Sequence, residues 1–371
     1  MTAPKRRPLA KRERIAWTRL ARTPGVGSLT FHRLVAQYGG ADAALDALPH
    51  ISKRRLVPPS ADAVEAELTA LEEMDARLLA SCEPDYPALL AQIDPCPPLI
   101  AVRGDAALFR KPLVAIVGAR EASAAGQKLA AQFARDLGEM GFVVVSGLAR
   151  GIDARVHEAT LETGTVAVLA GGLDRPYPPQ NLDLHDAICM RGAVIAEAPL
   201  GFQARARDFP RRNHIISGVS LGVVVIEAAE RSGSLITARA AGEQGREVMA
   251  VPGSPLDPRA RGSNALLKQG AILVESAADV AEALKATPLS VRSRPPAPLF
   301  DRDDDARPGD ALVEEVARLL SPTPVHVNDL ARLVGAPAGV VAGAVTELEM
   351  MGRAATLPGG YAASPGAAFG S

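Results

Sequence analysis

Leu113-Val114-Ala115-Ile116-Val117-Gly118-Ala119-Arg120 is an unbroken apolar run that stops on glycine and then a charge. Five further runs repeat the pattern. Phe142–Val145 ends in Ser146-Gly147-Leu148-Ala149-Arg150-Gly151, and Val166–Leu169 in Gly171-Gly172-Leu173-Asp174. Ala193–Ile195 leads to Glu197-Ala198-Pro199, Val223–Ile226 to Glu227 and then Arg231-Ser232-Gly233-Ser234, and Val248–Val251 to Pro252-Gly253-Ser254. Short apolar, β-branched runs without alternation predict strands covered on both faces. Helical stretches separate them, so the chain predicts β-α-β units and a mostly parallel, doubly wound α/β sheet. The loops after such strands emerge at one edge, where ligands bind.

Around this core the chain divides further. Its 371 residues suit two or three domains, and 47% hydrophobic content excludes global disorder. The expected organisation is a basic disordered tail over 1–14 and a helical domain over 15–80, resembling a SAM or helix-hairpin-helix module. An extended Rossmann-like core over 81–286, a flexible Pro-rich and acidic linker over 287–309 and a winged-helix domain over 310–371 follow. In the helical domain, Pro24-Gly25-Val26-Gly27 is a tight turn that either holds a phosphate on its amides or merely lets two helices pack. In the winged helix, Asn328 is the expected N-cap of the second helix. The third, Ala338–Met351, lacks Lys and Arg and carries two glutamates, which face a polyanion badly.

No apolar run reaches the ~20 residues needed to span a bilayer. Cys82, Cys96 and Cys189 have neither metal-ligand spacing nor an even count, which fits a reduced, cytoplasmic setting. Net charge is −1, so any nucleic-acid site must be a local patch.

The first turn separates the candidate ligands. A dinucleotide fingerprint needs a second glycine where Arg120 stands, so that backbone can approach a pyrophosphate. A guanidinium there obstructs the approach but donates to phosphate itself. No Walker A sequence occurs, and no cofactor or metal is expected. Ser146, Gly147, Arg150 and Gly151 offer a hydroxyl, loop amides and a second arginine before a helix N-terminus. Arg212, Asn213 and His214 add a basic cluster, and Ser232-Gly233-Ser234 opens another helix. Several phosphate donors with no evident nucleophile describe a polyanion binder better than an enzyme. Glu197 and Glu227 are read as ending neighbouring strands, either as paired carboxylates or as anchors for arginines and loop amides.

The motifs G-A-R-x-x-S from Gly118, S-G-L-A-R-G-I-D-x-x-x-H from Ser146 and A-V-L-A-G-G-L-D-x-x-Y-P-x-x-N from Ala167 occur in order with F-P-x-R-N-x-I-I-S-G, S-G-S-L-I-T-A and A-V-P-G-S. Together, over about Leu113–Glu275, they resemble the DNA-processing protein A family, also called Smf. The resemblance implies a cytoplasmic, dimeric, single-stranded-DNA-binding protein. Such a protein protects incoming DNA and loads the recombinase RecA in natural transformation. By motif, the DNA pocket would use Gly118, Arg120, the Ser146–Gly151 loop, Arg212 with Asn213 and His214, and Ser232–Ser234, with Tyr177 and Asn181 at its rim. His214 stands where the family usually has a second arginine, and Pro179 where some members carry lysine, which implies weaker or more salt-sensitive binding. Self-association would run through Leu267 and Leu273. The rival from another class is a Rossmann-like nucleotide phosphoribohydrolase of the lysine-decarboxylase-like group, whose P-G-G-x-G-T-x-x-E loop this chain lacks.

Overall fold

The computed structural model describes residues 6–51, 56–286, 310–357 and 361–365. The expected linker, the first five residues of the tail and the wing tip at Pro358-Gly359-Gly360 lie outside them. The described residues form two compact units, one built from residues 9–65 with 310–365, the other from 6–8 and 66–286.

In the first unit, α1 (Lys11–Ala21), α2 (Ser28–Tyr38) and α3 (Ala41–Ile51) pack around the buried side chains of Leu20, Phe31 and Leu34. Trp17 closes this core, its ring 4.9 Å from that of Phe31. The disordered tail expected through residue 14 is corrected for 11–14. Glu13 turns back to accept from the Ala10 amide at 2.9 Å, which starts the helix at Lys11. At the α1–α2 turn Gly25 has φ +92°, and a Cβ there would stand 3.0 Å from Leu56, so close packing demands the glycine.

The helical domain expected through residue 80 is also corrected at its end. After α4 (Ala61–Glu73) Asp75 takes φ 53°, and β1 (Ala76–Ala80) follows. It pairs antiparallel with β2 (Leu99–Gly104), Ala76 opposite Arg103. A short apolar run such as Leu78-Leu79-Ala80 has no period that separates strand from buried helix, and its partner decides.

The remaining strands of the second unit are β3 (Leu113–Val117), β4 (Val143–Ser146), β5 (Thr165–Leu169), β6 (Ala193–Ala196), β7 (Gly222–Val225), β8 (Glu247–Ala250) and β9 (Ile272–Leu273). Their order is β1-β2-β6-β5-β4-β3-β7-β8-β9, parallel from β6 to β9. The helices between them are α5 (Ala124–Glu139), α6 (Ile152–Thr160), α7 (Leu182–Arg191), α8 (Phe209–Val219), α9 (Gly233–Glu243), α10 (Arg261–Lys268) and α11 (Ala277–Ala286). Val114, Ile116, Val144 and Val224 join one apolar layer, and Ala115, Val117, Val145 and Val225 the other. Burial on both faces explains why these strands show no alternation in sequence. Since β3 lies between β4 and β7, chain progression reverses there, and this switch point opens a crevice at the strands' carboxyl ends.

The C-terminal part of the first unit carries α12 (Asp310–Leu319), β10 (Val325–His326), α13 (Val327–Val334), α14 (Ala338–Met350), β11 (Ala355–Leu357) and β12 (Tyr361–Ala363). The sheet order β10-β12-β11 beside three helices is a winged helix. Its second helix begins one residue before the expected cap. His326, not Asn328, is the N-cap, and its Nδ1 accepts from the Asn328 amide at 3.1 Å. Among the described residues no helix is long and apolar enough to cross a membrane.

Candidate nucleic-acid interface

A cleft of about 1070 Å³ occupies the switch point. The β3–α5 loop gives it Gly118, Arg120 and Glu121, the β4–α6 loop Arg150 with Asp153 from the first turn of α6, and the β7–α9 turn Arg231 and Ser232 with Gly233 and Ser234 from the start of α9. Tyr177, Phe209, Arg212, Asn213 and Arg259 complete the charged and aromatic lining. Five arginines thus face two carboxylates, so a chain of net charge −1 holds a cationic crevice.

The arginines do different work. Arg120 and Arg150 are exposed, and no carboxylate among the described residues pairs with either. The Arg120 guanidinium lies 5.3 Å from the Phe209 ring centroid, where the ring face steadies it without consuming its N–H donors. Arg212 is only 6% exposed. Its Nη1 donates to the carbonyls of Gly147 and, at 2.9 Å, Val168, while Nε donates to Asn213 Oδ1 at 3.0 Å. Burial draws its pKa down to about 10, opposed by Asp153, and it stays charged at neutral pH. Asn213 Nδ2 in turn donates to the Gly233 carbonyl at 3.2 Å, joining α8 to the start of α9.

The Ser146–Gly151 loop departs from its expected role as a cradle of free donors. Ser146 is fully buried, and its hydroxyl donates to the Ile116 carbonyl at 2.7 Å. The amides of Gly147 and Ala149 donate to Asp153 Oδ2 at 3.2 and 3.3 Å, so a carboxylate of the chain takes the place of a bound anion. Burial raises the Asp153 pKa, opposed chiefly by Arg212. Gly151, at φ +76°, admits the carbonyls of Ala119 and Arg120 where a Cβ would stand, clamping the first two loops together. Leu148, at φ 57°, is strained for a branched side chain. Asn181 holds that strained residue through Nδ2 to the Leu148 carbonyl at 2.9 Å. Asn181 is therefore placed under the loop and not on the cleft lining.

Tyr177 does stand at the rim, 56% exposed, edge-on to Phe209 with centroids 6.1 Å apart. His214 is not on the lining. Its Nδ1 accepts from Gln244 Nε2 at 2.9 Å, and burial lowers its pKa, so the expected phosphate contact is replaced by a helix–helix hydrogen bond. Ser232 caps α9, accepting from the Ser234 amide at 3.3 Å, and leaves the helix N-terminus open to the cleft.

Glu197 and Glu227 do not end neighbouring strands, because β5, β4 and β3 stand between β6 and β7. Glu197 pairs with Arg211 at 2.5 Å. Glu227 accepts from the Ser123 amide and hydroxyl at 2.9 and 2.5 Å, tying the first loop to β7. Arg231 and Arg259 line the cleft in addition to the residues expected there from sequence. Arg231 directly precedes the Ser-Gly-Ser turn, a usable signal. Arg259 lies beyond the last motif and carries none. Leu273 sits on the edge strand β9, 52% exposed, and Leu267 on α10 is half-buried.

Known proteins share this architecture. Residues 77–285 match the family DNA recombination-mediator protein A, residues 11–70 the DprA-like N-terminal HHH domain and residues 295–360 the DprA winged helix domain. The chain is 37% identical over 306 residues to Protein Smf of Escherichia coli, with 80% of each chain covered. The X-ray structure of DNA processing protein A from Streptococcus pneumoniae is similar at TM-score 0.63 and 30% identity, over 74% of this chain and 98% of that one. That of Helicobacter pylori, described for its single-stranded DNA binding mode, is similar at TM-score 0.53 and 26% identity, over 57% and 96%. The chain therefore belongs to the DNA recombination-mediator protein A (DprA/Smf) family.

Proposed function

We propose that the cleft binds the sugar-phosphate backbone of single-stranded DNA, and that the protein protects incoming strands and loads RecA onto them in natural transformation. The observation that carries the binding reading is the pair Arg120 and Arg150. Two exposed guanidinium groups without carboxylate partners among the described residues sit on adjacent loops at the switch point. Phosphates are the sequence-blind part of a strand, so such a site tracks backbone with little base preference. The related proteins named for DNA processing, and the Helicobacter pylori protein described as binding single-stranded DNA, support the same ligand.

Duplex reading by the winged helix is disfavoured. Thr346 and Glu347 of α14 accept from Arg33 and Gln37 of α2 at 3.3 and 3.1 Å, which occupies polar groups of the helix that would enter a major groove. A dimer through β9 and α10, with Leu267 and Leu273 in the contact, would place two clefts on one strand and raise affinity by avidity.

The test is a gel shift of the full chain with single- and double-stranded oligonucleotides of equal length. Preference for the single strand is expected, and equal affinity for both would remove the proposal. The phosphoribohydrolase reading needs the P-G-G-x-G-T-x-x-E loop, which this chain lacks. No base release from nucleoside monophosphates is expected.

A further inference from the structure

We infer that the cleft contains a second phosphate seat, formed by Arg231 and Arg259, on the opposite side of the switch point from Arg120 and Arg150. The inference rests on the single-stranded-DNA reading and specifies the length and path of the strand. Arg120 and Arg150 follow β3 and β4. Arg231 follows β7, and Arg259 follows β8. In the sheet those pairs of strands lie on either side of the β3–β7 junction, yet all four side chains line one continuous cleft. A linear polyanion that crosses the crevice meets both sides.

The two residues are suited to the task in different ways. Arg231 is exposed and has no acceptor among the described residues, so its full charge is offered to the cleft. Arg259 is held by Asp257, with Nε 3.0 Å from Oδ1 and Nη2 2.8 Å from Oδ2. The Asp257 Oδ1 also accepts from the Arg259 amide at 2.9 Å, which fixes the whole residue on its short turn. This clamp neutralises part of the charge but orients the guanidinium, and Nη1 has no acceptor among the described residues. A pre-oriented fork loses less entropy on meeting a phosphate than a free side chain does.

The test measures anisotropy of labelled oligothymidylates from about 4 to about 16 nucleotides on the full chain, across a salt series. For Arg231→Ala combined with Arg259→Ala, the shortest oligomers should bind as to the parent. Longer ones should bind more weakly, with the salt slope reduced by about 0.7 for each phosphate that is no longer neutralised. Arg120→Ala is run alongside. If it weakens binding while the double variant keeps the parent's slope and length dependence, the second seat is wrong and the single-stranded-DNA reading stands. Equal weakening at every length also overturns the second seat. If Arg120→Ala and the double variant both bind as the parent does, the DNA reading of the cleft itself falls. Circular dichroism of the double variant should match the parent, since Arg231 has no acceptor among the described residues and Arg259 bonds within its own turn.

Discussion

Arg212 Nη1 donates to the carbonyl of Gly147, 65 positions earlier in the chain, and no side chain larger than hydrogen fits between them. The contact locks the loop after β4 onto α8, with Asp153 as the buried counter-charge. Arg212→Ala takes a donor from the buried carbonyls of Gly147 and Val168, a loss of about 1–3 kcal/mol for a buried group left unsatisfied. A fall in the unfolding midpoint is expected, and Arg212→Lys should not restore it fully, because one ammonium cannot donate both to the two carbonyls that Nη1 reaches and to Asn213 Oδ1 as Nε does. Denaturant titration of both variants checks this.

Arg120 and Arg150 should behave in the opposite way. Both are exposed, so alanine at either should change stability by no more than about 0.5 kcal/mol. Affinity for single-stranded DNA should fall for every sequence, with the salt slope lower by about 0.7 per phosphate. A parallel drop in stability would show that these side chains support the fold instead.

Tyr177 and Phe209 give the cleft one edge-on aromatic pair, a narrow surface beside the multi-ring platforms of dedicated stacking proteins. Tyr177→Ala should weaken binding while leaving the salt slope unchanged, since stacking releases no counterions. Tyr177→Phe should bind like the parent. Anisotropy at several salt concentrations separates stacking from charge.

His157 is fully buried, its Nδ1 2.7 Å from Thr165 Oγ1, and burial pulls its pKa down to about 3. The folded state binds this proton less readily than the unfolded state, so the stabilising effect is complete above about pH 6.5. It is lost as pH falls from 6.5 toward 3, at about 1.4 kcal/mol per unit. Asp153, whose pKa is raised, contributes with the opposite sign, so the comparison must be with a variant lacking only the imidazole. His157→Asn should show a pH dependence shallower by about that slope between about pH 4.5 and 6, measured by denaturant unfolding.

Leu273 is half exposed on an edge strand, a position where apolar side chains invite association. In the proposed dimer, Leu273→Glu combined with Leu267→Glu should give a folded monomer by light scattering, with weaker DNA binding through reduced avidity. A variant that stays dimeric would move the interface elsewhere.

The amino-acid sequence alone determined the strands β3 to β8, their parallel arrangement and the edge at which their loops gather. Each of those rests on local patterns, an apolar run ending in glycine before a helix, that do not need distant partners. Arg120 and Arg150 were legible for the same reason, because a charge in the first turn after a buried strand has little place to go but the crevice. Tertiary structure alone decided what the other residues do. Ser146 and Asn181 carry polar groups that either ligand or backbone could satisfy, and the acceptors that claim them, at Ile116 and Leu148, lie 30 and 33 positions away. His214 went to Gln244 on the neighbouring helix. Ala76–Ala80 became a strand because β2 offered an open edge. Arg259 joined the site because the turn after β8 ends at the same face of the sheet, a convergence written in the strand order and in no local motif.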